Sequence, residues 1–147
     1  MKMTYNVYLS GPIDPKHLHV CKEWRRITPL HLPDHVHCIN PMRGDIHPVE
    51  GMDLDSIPVP PKELVARDLQ DISRADLMLV FWPGISDKQG IGTLMEIAVA
   101  MSQEIPILVV DPSGKISDHP WIQHAATSTY TSLLKAWEAI NTFWSVE

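Results

Sequence analysis

The order of apolar segments predicts an α/β fold: a doubly wound, five-stranded parallel sheet of order 2-1-3-4-5 with helices on both faces. Short apolar segments alternate along the chain with segments of helical spacing. Two of the short segments, residues 76–82 and 105–110, are almost continuously apolar, as in strands that are covered on both faces. The 147 residues, 44% of them hydrophobic, suit one domain over residues 1–147 with a substantial core.

The first strand is predicted at Tyr5–Leu9, where apolar and polar residues alternate, and Ser10-Gly11-Pro12 ends it. Asp14 before a proline is typical of a helix start. We expect a helix from Lys16 to about Thr28, with Trp24 or Arg25 on its apolar side. His35–Ile39 then reads as a short second strand.

Residues 40–60 show no regular pattern and predict a long loop, of the kind that is often either an active-site lid or a disordered segment. Arg43 in this loop is either a solvated side chain or a contact to the substrate.

A second helix is predicted to start at Pro60-Pro61-Lys62-Glu63 and to run to about Arg74. Its spacing predicts a buried stripe. Asp68 borders that stripe and is expected to face a cleft, whereas Arg67 and Asp71 are expected on the polar side. The predicted stripe consists of Leu64, Val65, Leu69 and Ile72.

The second half of the chain continues the alternation. The expected elements are a strand over 76–82, a helix from about Gly92 to Gln103, a strand over 105–110, a loop or short helix over 115–121, a weak strand over 126–130, and a last helix capped by Thr131 or Ser132.

Glu96 lies near the start of the third main helix, which is otherwise apolar on most sides. In a sheet of this order, ligands bind at the switch point beside the loops after the first and third strands, here residues 10–14 and 83–92. Burying a carboxylate at the switch point costs free energy of desolvation, which is unexpected unless the group has a function there. The helix N-terminus favours its ionised form, so Glu96 suits attack on an electrophilic sugar carbon. The alternative is an ordinary glutamate that stabilises the helix dipole.

Composition narrows the functional classes. A formal charge of −6 argues against a general nucleic-acid binder. No apolar run approaches 18 residues and no leader pattern is present, so we expect a soluble cytoplasmic protein without membrane contact. Cys21 and Cys38 lack metal-type spacing and are expected to be reduced, although a disulfide stays an alternative. His35 and His37 lack further ligands in a tetrahedral pattern, so neither a metal nor another cofactor is expected.

Four motifs converge on the predicted switch point. They are Tyr8-Leu-Ser-Gly-Pro12, Arg67-Asp68-Leu69 before Ala75-Asp76, Gly92-Thr93-x-x-Glu96, and an apolar strand that ends in Asp111. Their order and spacing resemble the nucleoside 2-deoxyribosyltransferase family over roughly residues 5–111. The resemblance implies a flavodoxin-like domain that transfers a sugar between bases.

The resemblance also implies roles for individual residues. Glu96 matches the nucleophile, Asp68 the acid that protonates the leaving base, and Tyr8 the hydroxyl that orients the nucleophile. It implies a homo-oligomer in which a neighbouring subunit contributes to each site, with Ser117 and Asp118 in the matching region. The candidate substrate-binding residues are Ser10, Gly11, Pro12, Arg43, Asp87, Gln89, Gly90, Gly92, Thr93, Ser117 and Asp118.

The chain departs from the family pattern at Gly90, where the transferases carry an aspartate that contacts the base. Gln89 and Asp87 are the alternative base contacts. Three other functions stay open. One is hydrolysis of nucleoside 5′-monophosphates by the related N-glycosidases. Another is a phosphoribohydrolase, whose Pro-Gly-Gly-x-Gly-Thr-x-x-Glu motif is interrupted here between Gly84 and Gly92. The last is a non-catalytic nucleotide-sensing module on the same fold.

Overall fold

A computed structural model describes residues 4–45, 59–84 and 90–145. Its five strands form one parallel sheet of order 2-1-3-4-5, which confirms the predicted fold class. The strands are β1 (Tyr5–Ser10), β2 (Val36–Ile39), β3 (Leu77–Phe81), β4 (Ile107–Val110) and β5 (Ser128–Tyr130). The helices are α1 (Leu18–Ile27), α2 (Pro61–Ser73), α3 (Ile91–Ser102), α4 (Pro120–Ala125) and α5 (Leu133–Phe143).

Several element boundaries differ from the prediction: α4 begins and ends later than the short helix expected over 115–121, β5 begins two residues later than expected, and two further differences have a local reason. A single 3₁₀ turn, Pro15–His17, precedes α1, and the Asp14 carboxylate accepts a hydrogen bond from the backbone N–H of Lys16 at 2.9 Å. The fourth strand begins later than predicted, because the N–H of Ile105 donates to the carbonyl of Ala100 at 2.9 Å and closes the end of α3.

One face of the sheet packs against α1 and α5. Side chains alternate between the two faces of a strand, so Val7 and Leu9 of β1 point to this side. The core here is aromatic, with Trp24 and Trp137 buried among aliphatic strand residues. The indole N–H of Trp137 donates to the hydroxyl of Thr28 at 3.2 Å, so this core leaves that buried polar group satisfied.

The opposite face packs against α2, α3 and α4. Tyr8 of β1 points to this side, where Ile72 of α2, Ile97 of α3 and Ile122 of α4 are buried with it. Helices α2 and α3 contact each other on this side of the sheet. This face of the sheet is packed less completely than the face under α1 and α5, because apolar side chains of α2 remain exposed.

The prediction for α2 was wrong on two points. Only Ile72 of the expected stripe is buried, and Val65 and Leu69 are 55% and 41% exposed. Asp71, expected on the polar side, is buried. The guanidinium of Arg67 donates to the carbonyl of Pro41 at 2.5 Å, so it also faces protein. The reason is that residues 40–45 pack beside α2 and cover its charged side, while its apolar stripe faces an open cavity.

Across the three described ranges, every helix is too short or too polar to cross a lipid bilayer.

Candidate active site

A cavity of about 450 Å³ lies at the carboxyl end of β1, between α2 and α3. Its volume is in the usual range for small-molecule sites, and the position is the switch point of the sheet. The lining residues are Gly11, Ile13, Arg25, Pro41, Val65, Asp68, Leu69, Ile72, Gly92, Thr93, Met95, Glu96 and Val99.

The Glu96 carboxylate is held on both of its oxygens. The phenol of Tyr8 donates to Oε2 at 2.5 Å, and the hydroxyl of Ser10 donates to Oε1 at 2.9 Å. Tyr8 and Ser10 are two residues apart on β1, so both side chains leave the same face of the sheet. Both are fully buried. The strand therefore presents two rigid donors to a carboxylate that the second turn of α3 supplies.

Burial and hydrogen bonding act on this carboxylate in opposite directions. Desolvation raises the pKa of Glu96, and the hydrogen bonds from Tyr8 and Ser10 oppose that rise because they favour the ionised form. Burial, and then the charge of Glu96, raise the pKa of Tyr8 well above its usual range. Tyr8 is thus fixed as a neutral hydrogen-bond donor.

Asp68 is the second carboxyl group in the cavity. Its Oδ1 is buried and accepts no hydrogen bond from the part of the chain that the structure describes. The nearest described cation, Nε of Arg67, lies 3.8 Å from Oδ1. Burial, followed by the negative charge of Glu96, raises the pKa of Asp68 to about 7. Asp68 can therefore hold a proton near neutral pH and release it, as a general acid requires.

Arg43, a predicted substrate contact, is engaged elsewhere. Its guanidinium lies 2.7 Å from the carboxylate of Asp71. Arg43 does not belong to the described lining of the cavity. Its contact with the substrate stays a prediction, and the contact seen explains how Asp71 can be buried one turn from Asp68.

Gly11, Gly92 and Thr93 line the cavity, in agreement with their positions in the motifs. A Cβ atom at Gly11 would lie 2.6 Å from the carbonyl oxygen of Phe81, so β1 and β3 end too close together for a side chain there. Pro12 is buried but does not line the cavity, and Ser10 acts through its hydrogen bond to Glu96.

Gly90, the N-cap of α3, is buried against the indole of Trp82. A Cβ atom at residue 90 would lie 1.9 Å from that ring, which leaves no space for the aspartate of the family pattern. Trp82 thus occupies the space that the side chain of this aspartate would need. Asp87 and Gln89, the alternative base contacts, lie outside the described residues.

Ser117 and Asp118 lie away from the cavity of their own chain. The Asp111 carboxylate accepts hydrogen bonds from the backbone N–H groups of Ile116 and Ser117, both at 2.9 Å. Asp111, the last residue of the fourth motif, thus holds the 115–117 segment in place. It does not line the cavity.

The thiols of Cys21 and Cys38 are both free. His35, considered as a metal ligand, forms a hydrogen bond with the carbonyl of Trp144 at 2.6 Å. The described ranges contain no group of three or more His, Cys, Asp or Glu side chains that could hold a metal ion.

Sequence reasoning did not assign a role to Arg25, which is 1% exposed and lines the cavity. The signal that could have found it was its position beside Trp24 on the apolar side of α1. An arginine on a buried helical stripe needs partners inside the protein.

No protein-family model matches the sequence, and a search of curated proteins finds no match. Solved structures do match. A 2-deoxyribosyltransferase from Bacillus psychrosaccharolyticus superposes with a TM-score of 0.64 at 17% identity, over 92% of this chain and 89% of that one. A 2-deoxyribosyltransferase from Leishmania mexicana gives 0.64 at 15%, over 97% and 99%. A conserved protein from Enterococcus faecalis gives 0.63 at 15%, over 95% and 99%. The expected resemblance to 2-deoxyribosyltransferases is confirmed at the level of the fold.

Proposed function

We propose that this protein cleaves the N-glycosidic bond of 2′-deoxynucleosides and transfers the sugar from Glu96 to another base, or to water. The observation that carries the proposal is a carboxylate with both oxygens fixed, in one cavity with a second carboxyl group that can hold a proton. Two solved structures of the same fold are 2-deoxyribosyltransferases, which supports this reaction class.

In the first step, a Glu96 oxygen attacks the anomeric carbon of the sugar. The C–O bond to Glu96 forms as the C–N bond to the base breaks, through a transition state of oxocarbenium character. The electron pair of the broken bond leaves with the base. Tyr8 and Ser10 keep the carboxylate oriented toward the sugar, which lowers the entropic cost of reaching the reactive geometry.

The departing base needs a proton on its nitrogen, and we assign this role to Asp68. Its raised pKa, about 7, makes the protonated form available at neutral pH, whereas an ordinary aspartate would be ionised. Loss of that proton leaves Asp68 ionised, ready to accept a proton from the next base.

In the second step, an acceptor base attacks the anomeric carbon from the face that the first base left. The C–N bond forms, the C–O bond to Glu96 breaks, and Asp68 takes the proton released by the incoming nitrogen. Two inversions at one carbon give net retention. Water in place of the base gives hydrolysis by the same path.

The apolar part of the lining supports a site for the flat face of a base. Planar aromatic groups gain from contact with apolar side chains on both sides. The side chains available for this contact are Ile13, Pro41, Val65, Leu69 and Met95.

The lining favours a free nucleoside over a 5′-monophosphate. Among the described lining residues the cation is Arg25, and its hydrogen bonds go to protein acceptors. A phosphate dianion beside Asp68 and Glu96 would meet two carboxyl groups instead of a cationic cradle.

A second copy of the chain would complete the site. Apolar side chains beside the cavity and along α3 and α4 are exposed: Met95 65%, Leu94 42% and Trp121 69%. Exposed apolar clusters of this kind are typical of association surfaces. Sedimentation velocity would test the proposal, and a monomer at all concentrations would contradict it.

The reaction is tested by incubating the protein with 2′-deoxynucleosides, with and without an acceptor base, and separating the products by chromatography. We expect exchanged nucleoside with an acceptor and slow release of free base without one. The same assay with 5′-monophosphates tests the nucleotide alternative. The absence of base release from every substrate at high protein concentration would overturn the proposal.

The covalent intermediate is tested by mass spectrometry of the protein mixed with a deoxynucleoside without acceptor. We expect a deoxyribosyl adduct on the peptide that contains Glu96, and none in the Glu96→Gln variant. Glu63→Gln on the exposed side of α2 is the matched control and should keep the adduct. An adduct on another residue would contradict the mechanism.

A further inference from the structure

Arg25 places a permanent positive charge in the wall of the cavity. Its Nε donates to the carbonyl of Leu9 at 3.3 Å, Nη1 to that of Cys21 at 2.9 Å, and Nη2 to that of Gly11 at 2.9 Å. Nη1 also contacts the sulfur of Met42 at 3.3 Å. All of these acceptors are neutral. Burial lowers the pKa of Arg25 to about 10, so the group is still charged at neutral pH.

A buried charge whose hydrogen bonds all go to neutral groups is costly unless an opposite charge lies near. The group that compensates Arg25 is the Glu96 carboxylate of α3, because it lines the same cavity and interacts favourably with the charge of Arg25. The Cys21 thiol on its own helix has a raised pKa from burial and is neutral. Glu96 and Asp68 are the two carboxyl groups that line the same cavity as Arg25, and Glu96 is the one whose pKa the charge of Arg25 lowers.

We propose that Arg25 is a positioning residue that keeps the proton of the site on Asp68 and leaves Glu96 ionised, while its hydrogen bonds fix the loop after β1. The inference rests on the proposed function, which needs Glu96 as nucleophile and Asp68 as acid. Without a nearby positive charge that favours one of them, two carboxyl groups in one cavity compete for the same proton.

The geometry makes the two carboxyl groups unequal. Glu96 accepts hydrogen bonds from two hydroxyl groups and lies in the field of Arg25. Asp68 has a buried oxygen without a described hydrogen bond, and the cations that act on it are Arg67 and Arg43. Arg43 is already paired with Asp71. The proton therefore belongs on Asp68.

The test is a pH titration of the substrate-free protein by NMR, with ¹³C-labelled Glu and Asp carboxyl groups. Glu96→Gln and Asp68→Asn assign the two signals. In the wild type we expect Glu96 to titrate below Asp68. In Arg25→Gln, which keeps donors but loses the charge, the Glu96 midpoint should rise by about one pH unit, and in Arg25→Lys it should stay near the wild type. Arg26→Gln, the neighbouring exposed arginine paired with Glu23, should leave both midpoints unchanged.

An unchanged Glu96 midpoint in folded Arg25→Gln would overturn the inference, since a purely structural arginine would alter stability alone. If Arg25→Gln does not fold, the wild-type titration decides, and Glu96 titrating at or above Asp68 overturns it. The titrations are made on substrate-free protein and therefore do not depend on catalytic activity. An inactive protein with the expected titration would contradict the proposed function and support the role of Arg25. In the active protein, the acidic limb of kcat/KM should move with the Glu96 midpoint.

Discussion

The face of the sheet under α1 and α5 is closed by Trp24, Trp137 and other large apolar side chains, whereas the face under α2 and α3 leaves a cavity of about 450 Å³. Both faces use alternate residues of the same strands. On β1, Leu9 joins the aromatic core, and its neighbours Tyr8 and Ser10 point to Glu96. We call the face under α1 and α5 the filled face and the face under α2 and α3 the open face. Because the filled face supplies stability, the open face can bury polar groups that lower stability.

The helices show the same contrast. Trp137 of α5 is buried and its indole N–H is satisfied by Thr28. On α2 and α3, Val65 and Met95 stay largely exposed beside the cavity. Substitutions on the two faces should therefore have separable effects, with losses of activity on one and losses of stability on the other.

The largest expected effect is on the open face. Glu96→Gln should lower deoxyribosyl transfer by at least about 10⁴-fold, because it removes the proposed nucleophile. Stability at neutral pH should not fall, since a buried carboxylate is replaced by a neutral amide of similar shape. Initial rates and thermal melts on the same sample check both. A rate within tenfold of the wild type would contradict the role of Glu96.

The second-largest expected effect is a loss of stability on the filled face. Trp137→Ala should lower the free energy of unfolding by about 3–5 kcal/mol, because it opens a cavity in the aromatic core. Transfer activity per folded molecule should be unchanged at low temperature. Urea denaturation measures the loss, and the exposed Leu134→Ala on the same helix is the control, expected within about 0.5 kcal/mol. Equal losses in the two variants would contradict the contrast between faces.

Asp68→Asn should lower kcat/KM by about 10²–10³-fold for substrates whose base must be protonated on leaving. In the wild type the rate should fall above pH 7, where Asp68 loses its proton, and this alkaline limb should disappear in the variant. Rate profiles from pH 5 to 9 measure it. The exposed Asp34→Asn is the control, and an alkaline limb that persists in Asp68→Asn would contradict the assignment.

The same substitution should change how stability depends on pH. The pKa of Asp68 is raised when the protein folds, so its protonation favours the folded state; this contribution is complete below about pH 3.8 and is lost as pH rises through about 7. Asp68→Asn should therefore be more stable than the wild type at pH 8, on the order of 2 kcal/mol, with no such gain at pH 4. Thermal unfolding of Asp68→Asn and of the wild type at pH 4 and at pH 8 measures this difference in stability.

The smallest expected effect comes from one hydroxyl group. Tyr8→Phe should lower kcat/KM by about 10-fold to 10²-fold and move the acidic limb to higher pH, because the lost hydrogen bond favoured the ionised form of Glu96. Tyr5→Phe, on the same strand but on the filled face, is the matched control and should leave the rate profile unchanged. Identical profiles for Tyr8→Phe and the wild type would contradict a role for the phenol.

Sequence patterns predicted the strand order, and the structure brings Tyr8, Asp68 and Glu96 together as expected, because each lies at a fixed position in a regular element. The contacts of two arginines could not be predicted in the same way. The pairing of Arg43 with Asp71, and the contacts of Arg67 with residues 41–43, depend on where the chain after β2 packs. Periodicity identifies the apolar side of a helix, but on α2 it did not identify the buried side, because that depends on which segment covers the polar side.

The contact between Gly90 and Trp82 also has an evolutionary consequence. An aspartate at residue 90 cannot be gained in a single step, because its Cβ would overlap the indole ring. Shrinking Trp82 first would remove a large buried side chain before any benefit arises. The two positions are therefore an epistatic pair, in which each change is harmful alone. A lineage that carries this pair is held away from an aspartate at residue 90 by the space that Trp82 occupies.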